Sequence, residues 1–375
     1  MSSPDWSAPE TAVFDRISDA LDAGDDAVLA TVVDVEGSAY RRPGAKMLLD
    51  AAGGGAGSIT AGCIEDEVRA LAADVIDDGA PRVETWDLTG DDDVWGLGVG
   101  CNGVITVLLE PLDDSFRPVV AARGAGDLIG VATVVGGDAA PVGARGYLRP
   151  GDGFDRGDLP EGAAAELTDA LRSLVADGGS ETVAVDTADG AADVFCDAVR
   201  PPPELVVFGS GNDVAPVVEL AALADFRVTV ASFRGGDADA DRFPGAADVV
   251  SVSPRDVADR FDWDDRSYVV VMSHNFVDDR LALDALLDTP VPYVGLMGPE
   301  ARFDEMREAF DEEGRELTAA DRDRIYTPIG LNLGGDTPYQ IAHSIVAELL
   351  AVANDRTPGH LSQRDGPIHG RDDGE

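Results

Sequence analysis

The chain has 375 residues, 44% of them hydrophobic, which suits two or three globular domains and excludes an intrinsically disordered protein. Its formal net charge of −44 disfavours binding to nucleic acid and to anionic membranes. The N-terminal stretch has no basic, apolar leader, no apolar run is long enough to span a bilayer, and the chain has only three cysteines. We therefore expect a cytoplasmic protein.

Acidic residues are spread evenly along the chain, and Lys46 is its only lysine. An acid-rich, lysine-poor surface over an ordinary core suits a salt-rich cytoplasm, where dissolved ions screen self-repulsion. We therefore expect a halophilic protein and attribute the charge to habitat, not to a binding partner. Because basic residues are scarce, their clusters point to function.

The first 111 residues predict a mixed α+β domain, because apolar residues recur there at both helical and strand spacing. In chain order the predicted elements are the helix "PETAVFDRISDALDAG", the strands "AVLATVVDVEG" and "AKMLLD", the helix "CIEDEVRALAADVIDDG" and the strand "GVITVLLEPL". Residues 112–200 add a weaker αβ region. The sequence leaves open whether this region is separate or extends the first domain.

The loop between the first two predicted strands, "GSAYRRPGAKMLL", carries three bases within six residues of an acidic chain. Guanidinium and ammonium groups hold phosphate through charge-assisted hydrogen bonds, and a serine hydroxyl lies nearby in the sequence. The loop therefore predicts an anion site, unless its bases are solvated and paired with neighbouring acids. The candidate residues are Ser38, Arg41, Arg42, Gly44 and Lys46.

Cysteines stand in two glycine-rich loops of the first domain. Cys63 follows Gly62 directly before a predicted helix, and a helix N-terminus favours the thiolate, although the acids after Cys63 oppose this effect. Cys101 lies in "GLGVGCNG", ahead of a strand. Neither has a CxxC partner, so zinc is not expected, and the two are candidates either for sulfur chemistry or for packing beside tight turns. Cys196, in "DVFCDAV", alternates with acids along a strand, and we assign it a structural role.

The triple proline Pro201–Pro203 cannot continue a sheet ladder and marks a domain boundary. Over residues 201–355, five apolar strands alternate with helical patterns, which predicts a Rossmann-like, doubly wound parallel sheet. The last helix is expected to begin with Thr337 as N-cap and Pro338 at the first helical position. Residues 356–375 are polar and rich in Gly and Pro, and predict a disordered tail.

A glycine turn follows the first of these strands. Gly209 and Gly211 fit the first two positions of a dinucleotide fingerprint, but Val214 stands at the third. Asn212 and the acid after it crowd the turn, and that acid would repel a phosphate. Ser232 ends the second strand where an acid would bind a ribose. The sequence is thus equally consistent with a nucleotide crevice and with a Rossmann scaffold that has lost its nucleotide.

The carboxyl ends of the other strands complete the predicted crevice. His274 ends the fourth strand, where this fold places ligands, although a packing role explains a histidine there equally well. Gly295 and Gly298, from "PYVGLMG", join the predicted cofactor-binding set. Arg234, after the second strand, is a weaker candidate for contact with a 2′-phosphate.

These stretches together resemble the XdhC/CoxI family of maturation factors for molybdenum hydroxylases, such as xanthine dehydrogenase and carbon monoxide dehydrogenase. The segments occur in the family's order and cover nearly the whole chain. They are "GSAYRRPGAKMLL", "GSITAGCIEDEV", "GVGCNGVITVLLEPL", "PPPELVVFGSGND", "VVVMSHNFVDD", "YVGLMGP" and "PIGLNLGGDTPYQIAHSIVAELLAV".

The resemblance implies an N-terminal cofactor-handling domain and a C-terminal Rossmann domain. It implies that the protein holds molybdenum cofactor while a cysteine desulfurase supplies sulfur, and then passes it to an apo molybdenum hydroxylase. It also leads us to expect a homodimer that acts as a cofactor chaperone and turns over no free substrate. Three alternatives stay open: an NAD(P)-dependent oxidoreductase, a sulfurtransferase with Cys63 as persulfide carrier, and a structural adaptor without cofactor.

Overall fold

The computed structural model describes residues 5–89, 102–234 and 238–363. The chain divides into two compact units, Met1–Pro202 and Pro203–Glu375. The predicted fold class is confirmed, because the first unit contains antiparallel sheets and the second a parallel sheet. Cys101 lies outside the described residues. Of the predicted tail, residues 356–363 are described and end in a 3-10 turn.

The first sheet of the first unit is antiparallel and has the strand order β3-β2-β1-β5-β4. Its elements are α1 (Glu10–Ala23), β1 (Ala27–Ser38), β2 (Lys46–Asp50), β3 (Gly55–Gly57), α2 (Glu65–Asp78), β4 (Arg82–Asp87) and β5 (Asn102–Pro111). The helices and strands predicted for this part of the chain are confirmed. The strands β3 and β4 were not predicted, since β3 is three residues of glycine and alanine and β4 is largely polar.

The second sheet of this unit has the order β8-β7-β6-β10-β9. Its elements are α3 (Arg117–Gly124), β6 (Ile129–Gly137), β7 (Arg145–Leu148), β8 (Phe154–Asp155), α4 (Ala164–Asp177), β9 (Gly179–Thr187) and β10 (Gly190–Val199). This strand order is that of the first sheet, element for element. We call residues 27–111 the first repeat and residues 129–199 the second repeat.

Local details also recur between the repeats. The helices α2 and α4 both have 14 residues, and both end at a glycine with positive φ, Gly79 in one and Gly178 in the other. The pairing register of β1 with β5 shifts at Val33, two residues after Thr31. The pairing register of β6 with β10 shifts at the matching position, Val135, two residues after Thr133. The first unit is therefore an internal duplication of one β-β-β-α-β-β module.

The register identifies the equivalent side chains. Lys46 pairs with Thr31 in the first repeat as Arg145 pairs with Thr133 in the second. By the same alignment Glu110, opposite Leu29, corresponds to Asp197, opposite Val131. Each repeat therefore carries one base and one acid at matching positions.

The two sheets share a core. Alternate residues of β1 point to α2 on one side, and the others pack against the second sheet, as expected for a strand buried on both faces. The strands of the second repeat likewise pack against α4 on the face that points away from the first sheet. The first unit is thus layered as α2, first sheet, second sheet and α4.

The second unit is a six-stranded parallel sheet of order β13-β12-β11-β14-β15-β16, the order of a dinucleotide-binding Rossmann fold. Its strands are β11 (Glu204–Phe208), β12 (Arg227–Ser232), β13 (Asp248–Ser251), β14 (Ser267–Val271), β15 (Tyr293–Leu296) and β16 (Ile325–Tyr326). Its helices are α5 (Val214–Leu223), α6 (Val257–Arg260), α7 (Phe276–Leu286), α8 (Glu300–Glu312), α9 (Ala319–Asp323) and α10 (Pro338–Ala353).

Apolar clusters lie on both faces of this sheet, as a doubly wound fold requires. The five predicted strands and the N-cap of α10 at Thr337 are confirmed. The two-residue β16 was not predicted. No helix of the described residues is long and apolar enough to cross a membrane.

Candidate functional site

Two predicted motifs of the first repeat meet at one end of its sheet. Because neighbouring strands run antiparallel, the β1–β2 connection, the end of β3 and the start of β5 lie at the same edge. Ala39 and Ala45 of the β1–β2 loop share an apolar cluster with Ile59 and Ile64 of the β3–α2 loop. The predicted basic loop and the Cys63 loop are therefore neighbours. Cys101 directly precedes β5 in the sequence but lies outside the described residues.

The basic loop presents its arginines at the surface. Arg42 and Ser38 are exposed, and Tyr40 between them is 59% exposed. Arg41 is half-buried, and its nearest carboxylate oxygen, on Glu10, lies 3.9 Å away. An exposed ion pair of this length contributes little energy, so the Arg41 guanidinium is available to a stronger anion.

Gly44 and Lys46, predicted with these arginines, belong to the interior instead. Lys46 is 5% exposed, its Nζ lies 2.6 Å from Asp197 Oδ2, and it donates to the carbonyl oxygen of Gly44 at 2.9 Å. Gly44 has φ +95°, and a Cβ there would lie 3.1 Å from Asp197 Oδ1. The structure therefore places these two residues at the base of the loop, where the buried ammonium has the acid partner that it requires.

A reciprocal pair joins Arg145 of the second repeat to Glu110 of the first. The Arg145 guanidinium donates to Glu110 Oε1 at 2.5 Å, to Ser115 Oγ at 2.8 Å and to Thr133 Oγ1 at 3.2 Å. Burial raises the pKa of Glu110, although the charge of Arg145 lowers it in part. A cavity of about 20 Å³, which has room for one water molecule, is lined by the residues of both ion pairs. Each base is thus paired with the acid of the other repeat.

The Cys63 loop is organised by a buried carboxylate. Glu65 Oε1 accepts from the Thr60 backbone N–H at 2.9 Å, and Glu65 Oε2 accepts from the Thr60 hydroxyl at 2.5 Å. Thr60 Oγ1 in turn accepts from the Cys63 N–H at 3.1 Å. Cys63 itself is half-buried against the core beneath α2, and Gly62 is exposed with open space around its Cα. Glu65 therefore holds the loop that positions Cys63.

Cys196 has the structural role that its strand predicted. It is fully buried in β10, and burial, with the nearby Glu181 and Asp197 carboxylates, raises its pKa to about 12. A thiol with this pKa is almost entirely protonated at neutral pH and is a poor nucleophile.

In the second unit, the glycine turn after β11 is closed by its own side chains. The Asp213 carboxylate lies where a side chain on Gly211 would stand, and Asp213 Oδ2 is 2.7 Å from His274 Nε2. His274 adopts φ +58°, a left-handed conformation that is uncommon for histidine. Arg242 donates to the carbonyl oxygen of Ser210 at 2.7 Å. A carboxylate thus occupies the helix N-terminus where a dinucleotide would place its phosphates.

The remaining predicted crevice residues have local partners. Asn212 Oδ1 lies 3.5 Å from the Arg242 guanidinium. Ser232 is buried and donates to the carbonyl oxygen of Arg234 at 2.9 Å, so its hydroxyl is directed to its own chain. The exposed Arg234 stands beyond it, at the carboxyl end of β12.

Packing accounts for the other glycines of the predicted set. A Cβ on Gly209 would lie 2.7 Å from the Met272 carbonyl oxygen, and one on Gly295 would lie 2.7 Å from Tyr293 Oη. A Cβ on Gly298 would lie 2.8 Å from the side chain of Arg302, which pairs with the buried Asp279. These positions exclude larger residues without requiring a ligand.

Sequence reasoning missed the residues that form the ion pairs between the two repeats. Asp197, Glu110 and Arg145 are charged residues in otherwise apolar strands, and a buried charge needs a partner. That signal marks them as paired, but the partners lie in different repeats and cannot be matched locally. No cluster of three or more metal-ligating side chains occurs among residues 5–89, 102–234 and 238–363.

Comparisons with known proteins match both units. Residues 20–87 match the model of the XdhC and CoxI family, and residues 205–349 match the XdhC Rossmann domain. Over 343 residues the chain is 29% identical to a probable xanthine dehydrogenase subunit of Bacillus subtilis (strain 168), and the match covers 90% of this chain and 96% of that protein. A segment of 183 residues, 48% of this chain, is 30% identical to the uncharacterized protein YqeB of Escherichia coli (strain K12), over 32% of its length.

A solved structure agrees over the same extent. The crystal structure of a xanthine dehydrogenase from Bacillus halodurans superposes with a TM-score of 0.74 and 27% sequence identity, over 92% of this chain and 96% of that one. The strand order of the second unit and the position of its glycine turn agree with the Rossmann match. The chain therefore belongs to the XdhC and CoxI family.

Proposed function

We propose that this protein is an accessory factor of a xanthine dehydrogenase-type molybdenum hydroxylase and holds molybdenum cofactor during maturation. The relative from Bacillus subtilis, named for xanthine dehydrogenase and similar over 90% of the chain, supports the link to that enzyme class. The observation that carries the binding role is the exposed Arg41–Arg42 loop, a concentrated positive charge on a chain of net charge −44.

The residues at this edge fit the chemistry of the cofactor. Molybdopterin carries a phosphate, which arginine guanidinium groups bind through paired, charge-assisted hydrogen bonds. Ser38, the last residue of β1, and the half-buried Cys63, in the β3–α2 loop, lie at the same end of the sheet. When bound, the cofactor supplies a molybdenum centre with a dithiolene ligand. The role of this chain is to retain the phosphate and to offer a thiol nearby.

A dinucleotide-dependent oxidoreductase is less well supported. The Asp213 carboxylate would repel a pyrophosphate at the glycine turn, and the Ser232 hydroxyl is hydrogen-bonded to the backbone of its own chain.

The cysteine desulfurase and the apo-enzyme are the partners that the proposed role requires.

The test is cofactor retention by protein purified in high salt and reconstituted with excess molybdenum cofactor. Bound pterin is measured by the fluorescence of its oxidised form. Charge-assisted contacts are worth about 1.5–3 kcal/mol each, so Arg41→Ala with Arg42→Ala should weaken retention at least about tenfold. The matched control is Arg149→Ala with Arg172→Ala, which removes two exposed guanidinium groups from the second repeat and should leave retention unchanged.

Two outcomes would count against the proposal. If the wild-type chain binds no pterin under these conditions, the binding role fails. If the Arg41–Arg42 variant and its control retain equal amounts, the loop is not the site.

The role of Cys63 is tested separately by Cys63→Ser. Serine is similar in size but cannot carry a persulfide, so a sulfur-handling role predicts normal pterin retention with loss of client activation. A Cys63→Ser protein that activates its client normally would leave Cys63 only a packing role.

A further inference from the structure

The base of the Arg41–Arg42 loop is held by side chains of the second repeat. Ser180, in β9, places its hydroxyl 3.3 Å from the carbonyl oxygen of Pro43 and 2.8 Å from Asp197 Oδ1. The other carboxylate oxygen of Asp197, in β10, accepts a hydrogen bond from the Lys46 ammonium group at 2.6 Å. Lys46 also donates to the carbonyl oxygen of Gly44. The Gly44 carbonyl group is thereby tied through Lys46 to one buried carboxylate, and the Ser180 hydroxyl lies between that carboxylate and the Pro43 carbonyl oxygen.

The equivalent turn of the second repeat provides an internal comparison. Three backbone hydrogen bonds recur, with Gly143 and Ala144 taking the places of Gly44 and Ala45. A Cβ on Gly143 would lie 3.5 Å from Pro81 and 3.6 Å from Glu110, the residues equivalent to Ser180 and Asp197.

The side-chain contacts that Lys46 and Ser180 make between the first turn and Asp197, which we call the tether, do not recur in the second repeat. Pro81 has no hydroxyl to offer, and Arg145 donates to Thr133, Ser115 and Glu110 without a bond to the Gly143 carbonyl in the described structure. The hydrogen-bonded tether therefore belongs to the turn that carries two arginines, and not to the backbone geometry that both turns share.

Ordering a loop residue costs conformational entropy. A loop fixed before its ligand arrives avoids part of that cost at the moment of binding. The tether fixes the chain at Gly44, two residues after Arg42, so it restricts where both guanidinium groups can point.

We propose that Asp197 is a positioning residue for the anion-binding loop, so that the site depends on both repeats although only the first one supplies the arginines. This inference rests on the proposed function, since it requires the Arg41–Arg42 loop to bind an anion. Asp197 itself does not touch the ligand.

The test compares Asp197→Asn with Glu110→Gln, the same change at the equivalent position of the other repeat. Both variants remove one buried charge, but only the first loosens the tether. We expect Asp197→Asn to weaken pterin retention about fivefold or more, while Glu110→Gln stays within about twofold of wild type. Ser180→Ala, which preserves the ion pair, should weaken retention in the same direction and covers the case in which Asp197→Asn does not fold.

Limited trypsin digestion supplies a readout that needs no cofactor. The Arg41–Arg42 peptide bond is a tryptic site, whereas the bond after Arg42 precedes proline and resists cleavage. Cleavage after Arg41 should be several-fold faster in Asp197→Asn and unchanged in Glu110→Gln, because proteases cut mobile loops. Equal losses of retention in the two variants, or wild-type cleavage in Asp197→Asn, would overturn the positioning role.

The outcomes also separate this inference from the proposed function. If Arg41→Ala with Arg42→Ala abolishes retention and Asp197→Asn does not, the cofactor site stands and the positioning role is wrong. If neither variant affects retention, the proposed site fails, and the positioning role for an anion site fails with it.

Discussion

The two repeats of the first unit keep the same scaffold and differ in what they attach to it. From Thr31 to Lys46 the chain advances 15 positions, whereas from Thr133 to Arg145 it advances 12. The three additional residues fall in the connection that carries Arg41 and Arg42. Sheet order, helix length and ion pairs are retained, so the repeats differ chiefly in the loops at one end of the sheet.

The position of Cys63 also differs between the two repeats. Cys63 lies two residues before α2, and the position two residues before α4 is Gly162. The second repeat therefore has neither the arginines nor the thiol at the equivalent edge. It contributes instead Asp197 and Ser180, which support the loop of the first repeat.

The largest effect is expected from breaking either reciprocal ion pair. Lys46→Met and Arg145→Met each leave a buried carboxylate without its base, which typically costs about 3–5 kcal/mol. Denaturant unfolding in high salt measures the free energy of unfolding for both. Similar losses would confirm that the two repeats are energetically equivalent here. A loss below about 1 kcal/mol in one variant alone would show that its acid is hydrated.

A smaller and asymmetric effect is expected from the two turn glycines. Gly44→Ala and Gly143→Ala both place a side chain at positive φ, which costs about 1–2 kcal/mol. At Gly44 the new Cβ would also lie 2.8 Å from Ser180 Oγ, whereas at Gly143 its nearest contact is 3.5 Å. Thermal unfolding should therefore rank Gly44→Ala as the more destabilising change. The opposite ranking would contradict the close approach of the second repeat to the first turn.

The smallest effect concerns the pH dependence of stability. Burial raises the pKa of Glu110 in the folded chain, so the folded state binds its proton more tightly than the unfolded state does. The contribution of this group to stability is fully present below its ordinary pKa and is lost as pH rises through the raised value. Wild type should therefore lose stability relative to Glu110→Gln as the pH increases from about 4.5. A relative gain over that range would show that the attraction of Arg145 outweighs burial.

Most of the architecture was predictable because it follows from local patterns. Continuous apolar strands between helices predict the parallel sheet of the second unit, and the Thr337–Pro338 pair predicts the start of α10. The candidate site was only partly predictable. The arginines were identified by their rarity, but Lys46 was grouped with them because its partner lies 151 residues away.

The duplication escaped sequence reasoning for a physical reason. A strand order and a hydrogen-bond register can recur while the residues change, as long as apolar positions stay apolar and each buried base meets an acid. Lysine and arginine, or glutamate and aspartate, satisfy that condition equally at the matching positions 46 and 145, or 110 and 197.

The exchange of partners between the repeats makes each one incomplete as a folding unit. A chain cut after Pro111 would contain Lys46 and Glu110 without Asp197 and Arg145, and both buried charges would be left unpaired. Two identical copies of such a module around a true two-fold axis would restore both pairs, because each base would meet the acid of the other copy. The duplicated chain thus forms within one molecule the two ion pairs that such a dimer would form between its subunits. Joining the copies removes the requirement that both carry the same loops, so the first repeat can carry Arg41 and Arg42 while the second supplies Asp197 and Ser180 beneath them.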